Sequence, residues 1–135
     1  MKTFLLEIVT PVRKAFSERV TAIVAPGEAG YFGVLPGHTP FLTSLKIGDV
    51  KIEMGDKTKH FAISGGFAEV YSGGVRILAE TAEEASEIDA ERAKQSKERA
   101  ARRLAQGRQE SDVERAQLAL ARAANRLKIA QILST

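Results

Sequence analysis

Every proline in this 135-residue chain, and ten of its eleven glycines, fall before Ser86. These are the two residues that most strongly interrupt a helix. The first 85 residues are therefore confined to short elements broken by turns, whereas the last 50, with Gly107 as their one glycine, are free to be helical. The reading is a β part followed by an α part, divided as residues 1–85 and 86–135. The hinge stretch 86–93, S-E-I-D-A-E-R-A, opens the first helix. Ser86 with Asp89 fits a capping box; Asp89 could equally be the cap, with Ala90 as the first helical residue. Either way the stretch carries free N–H donors and a positive dipole end.

In the first part, residues 4–9 and 19–25 are β-branched and apolar enough for strands, closed by Thr10-Pro11 and Pro26-Gly27. A turn-dense run follows, and 41–45 resumes a strand. Val50, Ile52 and Met54 alternate with Lys51 and Glu53, the mark of a strand with one wet face. Gly55-Asp56 turns into a strand over 58–63, and 66–71 pairs with 75–80 across Ser72-Gly73-Gly74. Many short strands with frequent turns predict a β-sandwich or flattened barrel. Gly65-Gly66 and Gly73-Gly74 read as turn glycines, since neither phosphate-binding glycine pattern is present. His38 reads as a turn or surface histidine, His60 and Glu69 as wet-face residues, and Ser64 lacks a base. Nothing in this part looks catalytic.

The second part predicts two helices, from Asp89 to about Ala105 and from Asp112 to about Leu133, with Gly107 as a left-handed C-terminal cap. Ser111 to Glu114 is a second capping box. Val113, Ala116, Leu120, Ala123, Leu127 and Ala130 follow a heptad seam, matched on the first helix by Ala90, Ala93, Lys97, Ala100 and Leu104. A short loop between helices predicts an antiparallel hairpin. Alanine seams bury little area, so this hairpin is expected to be marginal and able to open. Arg92, Arg99 and Arg103 share one helix face, and Arg115, Arg122 and Arg126 repeat the spacing. A solvated face is the bland account; a nucleoside-phosphate site or docking on an acidic protein surface are the functional ones.

Charge sharpens the division: residues 1–85 carry a net −1 and residues 86–135 a net +4. That field is too modest to argue for double-stranded nucleic acid, and the absence of Trp argues against a stacking platform. With no cysteine, disulfides, thiol catalysis and zinc–thiolate sites are excluded. No apolar run approaches the ~18 residues of a membrane span, and Glu7 interrupts any signal-like core, so a cytoplasmic protein is expected.

Four motifs in order carry a resemblance: G-x-L-P-G-H-x-P as Gly33 to Pro40, S-G-G-F-x-E-V as Ser64 to Val70, I-D-x-x-R-A as Ile88 to Ala93, and A-x-x-R-L as Ala123 to Leu127. Over its whole length the chain resembles the epsilon subunits of bacterial F-type ATP synthases, Bacillus-like members included. The resemblance implies a ten-stranded β-sandwich followed by an antiparallel two-helix hairpin. It implies a non-catalytic, central-stalk subunit of a proton-translocating complex, peripheral on the cytoplasmic face of the cell membrane. The sandwich would meet the gamma subunit and the c-ring, with Tyr31, Phe32 and His38 as c-ring contacts. The basic helices, when extended, would reach the catalytic beta and alpha subunits and restrain ATP hydrolysis. It further implies ATP, with or without magnesium, as a regulatory ligand of the folded hairpin. Ile88, Asp89 and Ala93 would then border the adenine, Arg92, Arg122 and Arg126 would face the phosphates, and Glu83 would join the adenine or ribose side. No metal site of the protein's own and no nucleic-acid partner are implied. The same subunit without a functional nucleotide site is one rival; a free-standing basic hairpin for nucleic acid is another.

Overall fold

A computed structural model describes residues 2–107 and 109–132, with the side chains of Glu110 and Ser111 outside the description. The chain divides into two compact units, Met1–Glu84 and Ala85–Thr135.

The first unit is built from eight strands: β1 (Phe4–Val9), β2 (Lys14–Val20), β3 (Ala22–Gly27), β4 (Gly30–Val34), β5 (Phe41–Met54), β6 (Lys57–Tyr71), β7 (Gly74–Ala79) and β8 (Ala82–Glu84). Along the sheet the order is β2-β1-β7-β6-β5-β3-β4, with β8 on the free side of β6. All neighbours are antiparallel except β1 and β7, so the sheet is mixed. Alternation places Phe4, Leu6 and Ile8 of β1 inward, and Val50 and Ile52 of β5 likewise. Ring contact between Phe16 on β2 and Phe61 on β6, edge-on at 5.6 Å, joins the inner faces of the two halves.

Eight strands replace the expected ten because β5 and β6, at 14 and 15 residues, each run unbroken through both halves. Residues 66–71 of β6 pair with β7, whereas 61–63 pair with β8. The crossing point is Gly65-Gly66, at φ of 109° and 145°. These glycines therefore lie inside a strand and not in a turn, correcting the sequence reading. A Cβ on Gly66 would collide with the Leu78 carbonyl oxygen, so only glycine lets β7 come this close. Gly73 does occupy the expected turn, at φ 94°.

The single strand expected over 19–25 is broken at Thr21, whose N–H and hydroxyl both donate to the Glu53 carbonyl, at 2.8 and 3.0 Å. Pro26-Gly27 does not close β3 but pairs within it, opposite Tyr31 and Gly30 of β4. Neither β4 nor β8 was legible as a strand.

In the second unit a short 3-10 turn (Ala85–Glu87) leads into α1 (Ala90–Gln106) and then α2 (Glu110–Ile132). Ser86 lies in the turn, and Asp89 is the N-cap, accepting from the Arg92 N–H at 3.0 Å. Ala93, Ala100, Ala116 and Ala123 are buried, as the heptad spacing predicts, and Ile129, which the seam did not include, is buried too. Ala90 and Lys97 are exposed. Gly107 is not left-handed: φ is −62° and ψ 130°. A Cβ there would stand 3.0 Å from Val113 Cγ2, a tight approach that a small shift of the valine side chain relieves. The N–H groups of Asp112 and Val113 donate to the Gln109 carbonyl, so α2 opens before Ser111 and not at it. Leu133 and Arg108 lie outside the described residues.

Candidate functional site

The hairpin holds most of the residues singled out for a ligand. Asp89 sits at the start of α1 because a short acidic side chain satisfies the open N–H groups there. The Ala93 N–H donates to the Asp89 carbonyl at 3.0 Å, and the Ile88 N–H to the Ala85 carbonyl at 3.3 Å, which fixes the backbone on both sides of the cap. Ile88 is nearly buried and Ala93 wholly so. Arg92 and Arg122 are exposed, while Arg126 is half-buried and engaged in a contact of its own. Glu83 belongs to the first unit, on β8 opposite Ala62.

The sequence spacing put three arginines on a face of each helix, and the structure gathers a different subset from the ligand set. Arg103 of α1, with Arg115 and Arg122 of α2, lines a cavity of about 690 Å³ at the closed end of the hairpin, together with Gln106 and Gln109. Arg122 is the one member shared with the expected nucleotide residues. Arg103 and Arg115 were visible only as part of a periodic stripe, which cannot tell a cavity from a solvated face.

On the sandwich, Tyr31 is 55% exposed, and its hydroxyl accepts from the Asp49 N–H at 3.2 Å. Phe32 is instead a packing residue, half-buried and edge-on to Phe41 at 5.4 Å. His38 is exposed at a turn, its backbone N–H donating to the Leu35 carbonyl and its ring 5.1 Å from that of Phe41. Leu35 and Leu42, both strongly exposed, flank the same loop and were not singled out. A second apolar surface lies on the outer side of β6 and β7, where the cross-strand neighbours Phe67 and Leu78 are about half exposed beside Pro11. Next to it runs a charged row in which Arg76 pairs with Glu69 at 3.2 Å and Glu7 at 3.7 Å, and Lys14 with Glu7 at 3.1 Å. Glu69 is thus on the solvent side, as expected. His60 is not a wet-face residue: it is largely covered, with Nδ1 at 2.8 Å from Asp49 Oδ2. Among the described residues no cluster of three metal-ligating side chains occurs.

Residues 3–85 match the ATP synthase delta/epsilon chain beta-sandwich domain, and residues 86–131 match the long alpha-helix domain of the same chain. The chain belongs to the ATP synthase delta/epsilon family. It is 53% identical to the ATP synthase epsilon chain of Syntrophobacter fumaroxidans over 93% of its length and 94% of the relative's. It is 43% identical to that of Bacillus cytotoxicus, covering 98% and 99%. Among solved structures, this family member resembles a chain of the Euglena gracilis mitochondrial ATP synthase (OSCP/F1/c-ring, rotational state 1). There the TM-score is 0.81 at 29% identity, over 91% of this chain and 78% of that one. No helix among the described residues is long and apolar enough to cross a membrane.

Proposed function

We propose that this delta/epsilon family member works as the epsilon subunit of the central stalk of a proton-translocating ATP synthase, joining the catalytic head to the c-ring. The observation carrying this reading is that both family domains are present, in order, over nearly the whole chain. The subunit contributes surfaces and no reacting group. The exposed Tyr31, Leu35 and Leu42, with His38, form the surface offered to the c-ring. The apolar strip at Phe67 and Leu78 is offered to the gamma subunit, since an exposed apolar patch beside a self-neutralised charged row suits a protein partner. The complex places the protein at the cytoplasmic face of the cell membrane without insertion.

The hairpin is the regulatory part. Its alanine seam supports closure only modestly, and its arginines suit either the acidic surface of the catalytic beta and alpha subunits or a phosphate chain. ATP, with or without magnesium, is the proposed ligand of the closed form, with its phosphates on Arg92, Arg122 and Arg126. Its base lies near Ile88 and Asp89; Ala93 supports that end from within the seam. ATP that binds only the closed hairpin draws the population toward it and away from an extended form that restrains hydrolysis.

Calorimetric titration of the whole chain with ATP, beside Arg92→Ala and Arg126→Ala variants, tests the sensor. Saturable binding lost in both variants is the expected result. No heat at millimolar ATP for the unmodified chain would leave Asp89 a helix cap and the coupling role untouched.

A further inference from the structure

The cavity at the closed end of the hairpin is not accounted for by the proposed nucleotide site. Its cations are Arg103, Arg115 and Arg122, converging from two helices on about 690 Å³. None of the three makes an ion pair among the described residues. Asp112 lines the same cavity without pairing to any of them, whereas surface cations on the sandwich, such as Lys14 and Arg76, do find carboxylates. Beyond the arginines, the walls are amide side chains (Gln106 and Gln109) and small residues (Ala116, Ala119 and Gly107). Among the described residues that line it, no aromatic or large aliphatic side chain is there to hold the face of a base. The chemistry recognised is therefore a chain of phosphates alone: guanidiniums bind phosphate oxygens in paired, charge-assisted bonds, and carboxamides donate to the oxygens left over.

We propose that the closed end of the hairpin is a second anion site, for inorganic pyrophosphate or longer polyphosphate, separate from the cap at Asp89. It rests in part on the nucleotide reading, because Arg122 serves both. A phosphate chain there ties Arg103 of α1 to Arg115 of α2 and so holds the hairpin shut without a nucleoside.

The probe is sodium tripolyphosphate, titrated calorimetrically into the whole chain in parallel with ATP, and helicity is followed by circular dichroism. Arg103→Gln with Arg115→Gln is expected to weaken tripolyphosphate at least tenfold while leaving helicity and ATP binding within twofold. Arg92→Gln is expected to do the reverse, weakening ATP and sparing tripolyphosphate. Arg122→Gln weakens both. The second site is refuted if the unmodified chain shows no saturable tripolyphosphate binding, or if Arg92→Gln weakens it as much as the Arg103/Arg115 double variant does. Binding of tripolyphosphate with none of ATP would keep the closed-end site and remove the nucleotide reading.

Discussion

Asp89 is the N-cap of α1, and the proposed nucleotide reading gives the same side chain a second role. As N-cap it accepts from the Arg92 N–H, and its position at a positive helix end is what would orient a polar ligand. Replacing it with Ala is expected to cost about 1 kcal/mol of hairpin stability, and with Asn only a few tenths, in denaturant titrations followed by helicity. Equal losses for the two would show that the carboxylate is not acting as a cap. Gly66 is the corresponding residue in the sandwich. Gly66→Ala combines an unfavourable φ with a collision on the Leu78 carbonyl, and a loss of about 3 kcal/mol or more is expected. A change under ~1 kcal/mol would mean that the β6–β7 contact yields freely. The motif S-G-G-F announced that these glycines matter but not how. Turn glycines and glycines inside a strand are identical in sequence, and only the partner strand reveals which is needed.

Among the elements, those with a strong period were readable and those defined by partners were not. The alternation of 50–54 and the heptad spacing of Ala116 and Ala123 gave β5 its inner face and the hairpin its seam. By contrast β4 is held by pairing to Pro26 and Gly27, which locally favour a turn, and three-residue β8 exists through its register with Phe61 to Ile63. Gly107 was foreseen as necessary for its φ, yet its φ is one any residue adopts, and the close neighbour of a Cβ there would be Val113. The candidate site shows the same limit: Asp89 was legible from capping chemistry, while the grouping of Arg103 with Arg115 and Arg122 depends on how the helices meet. The two units also differ in what holds them. Large buried side chains such as Leu6, Ile52 and Phe61 fill the sandwich, whereas the hairpin seam is mostly methyl groups. At ~25 cal/mol per Å² the seam contributes much less per residue ordered, so α1 and α2 should open below the global unfolding free energy. Hydrogen exchange is expected to run faster in α1 and α2 than in β5 and β6. Slower exchange in the helices would contradict a movable hairpin.

At the scale of the whole molecule, the two units suit different tasks. The first presents exposed surfaces on a well-packed sandwich, and the second a basic hairpin with an alanine-rich seam, whose closure we propose a ligand can tip. We propose that the hairpin, and not the sandwich, controls hydrolysis in the assembled complex. The most direct test compares ATP hydrolysis by the assembled synthase carrying the full chain with that of a synthase carrying a chain ended after Glu84. Faster hydrolysis without the hairpin is expected at low ATP, with the two rates converging as ATP rises. Identical rates at every ATP concentration, with both chains incorporated to the same extent, would contradict it.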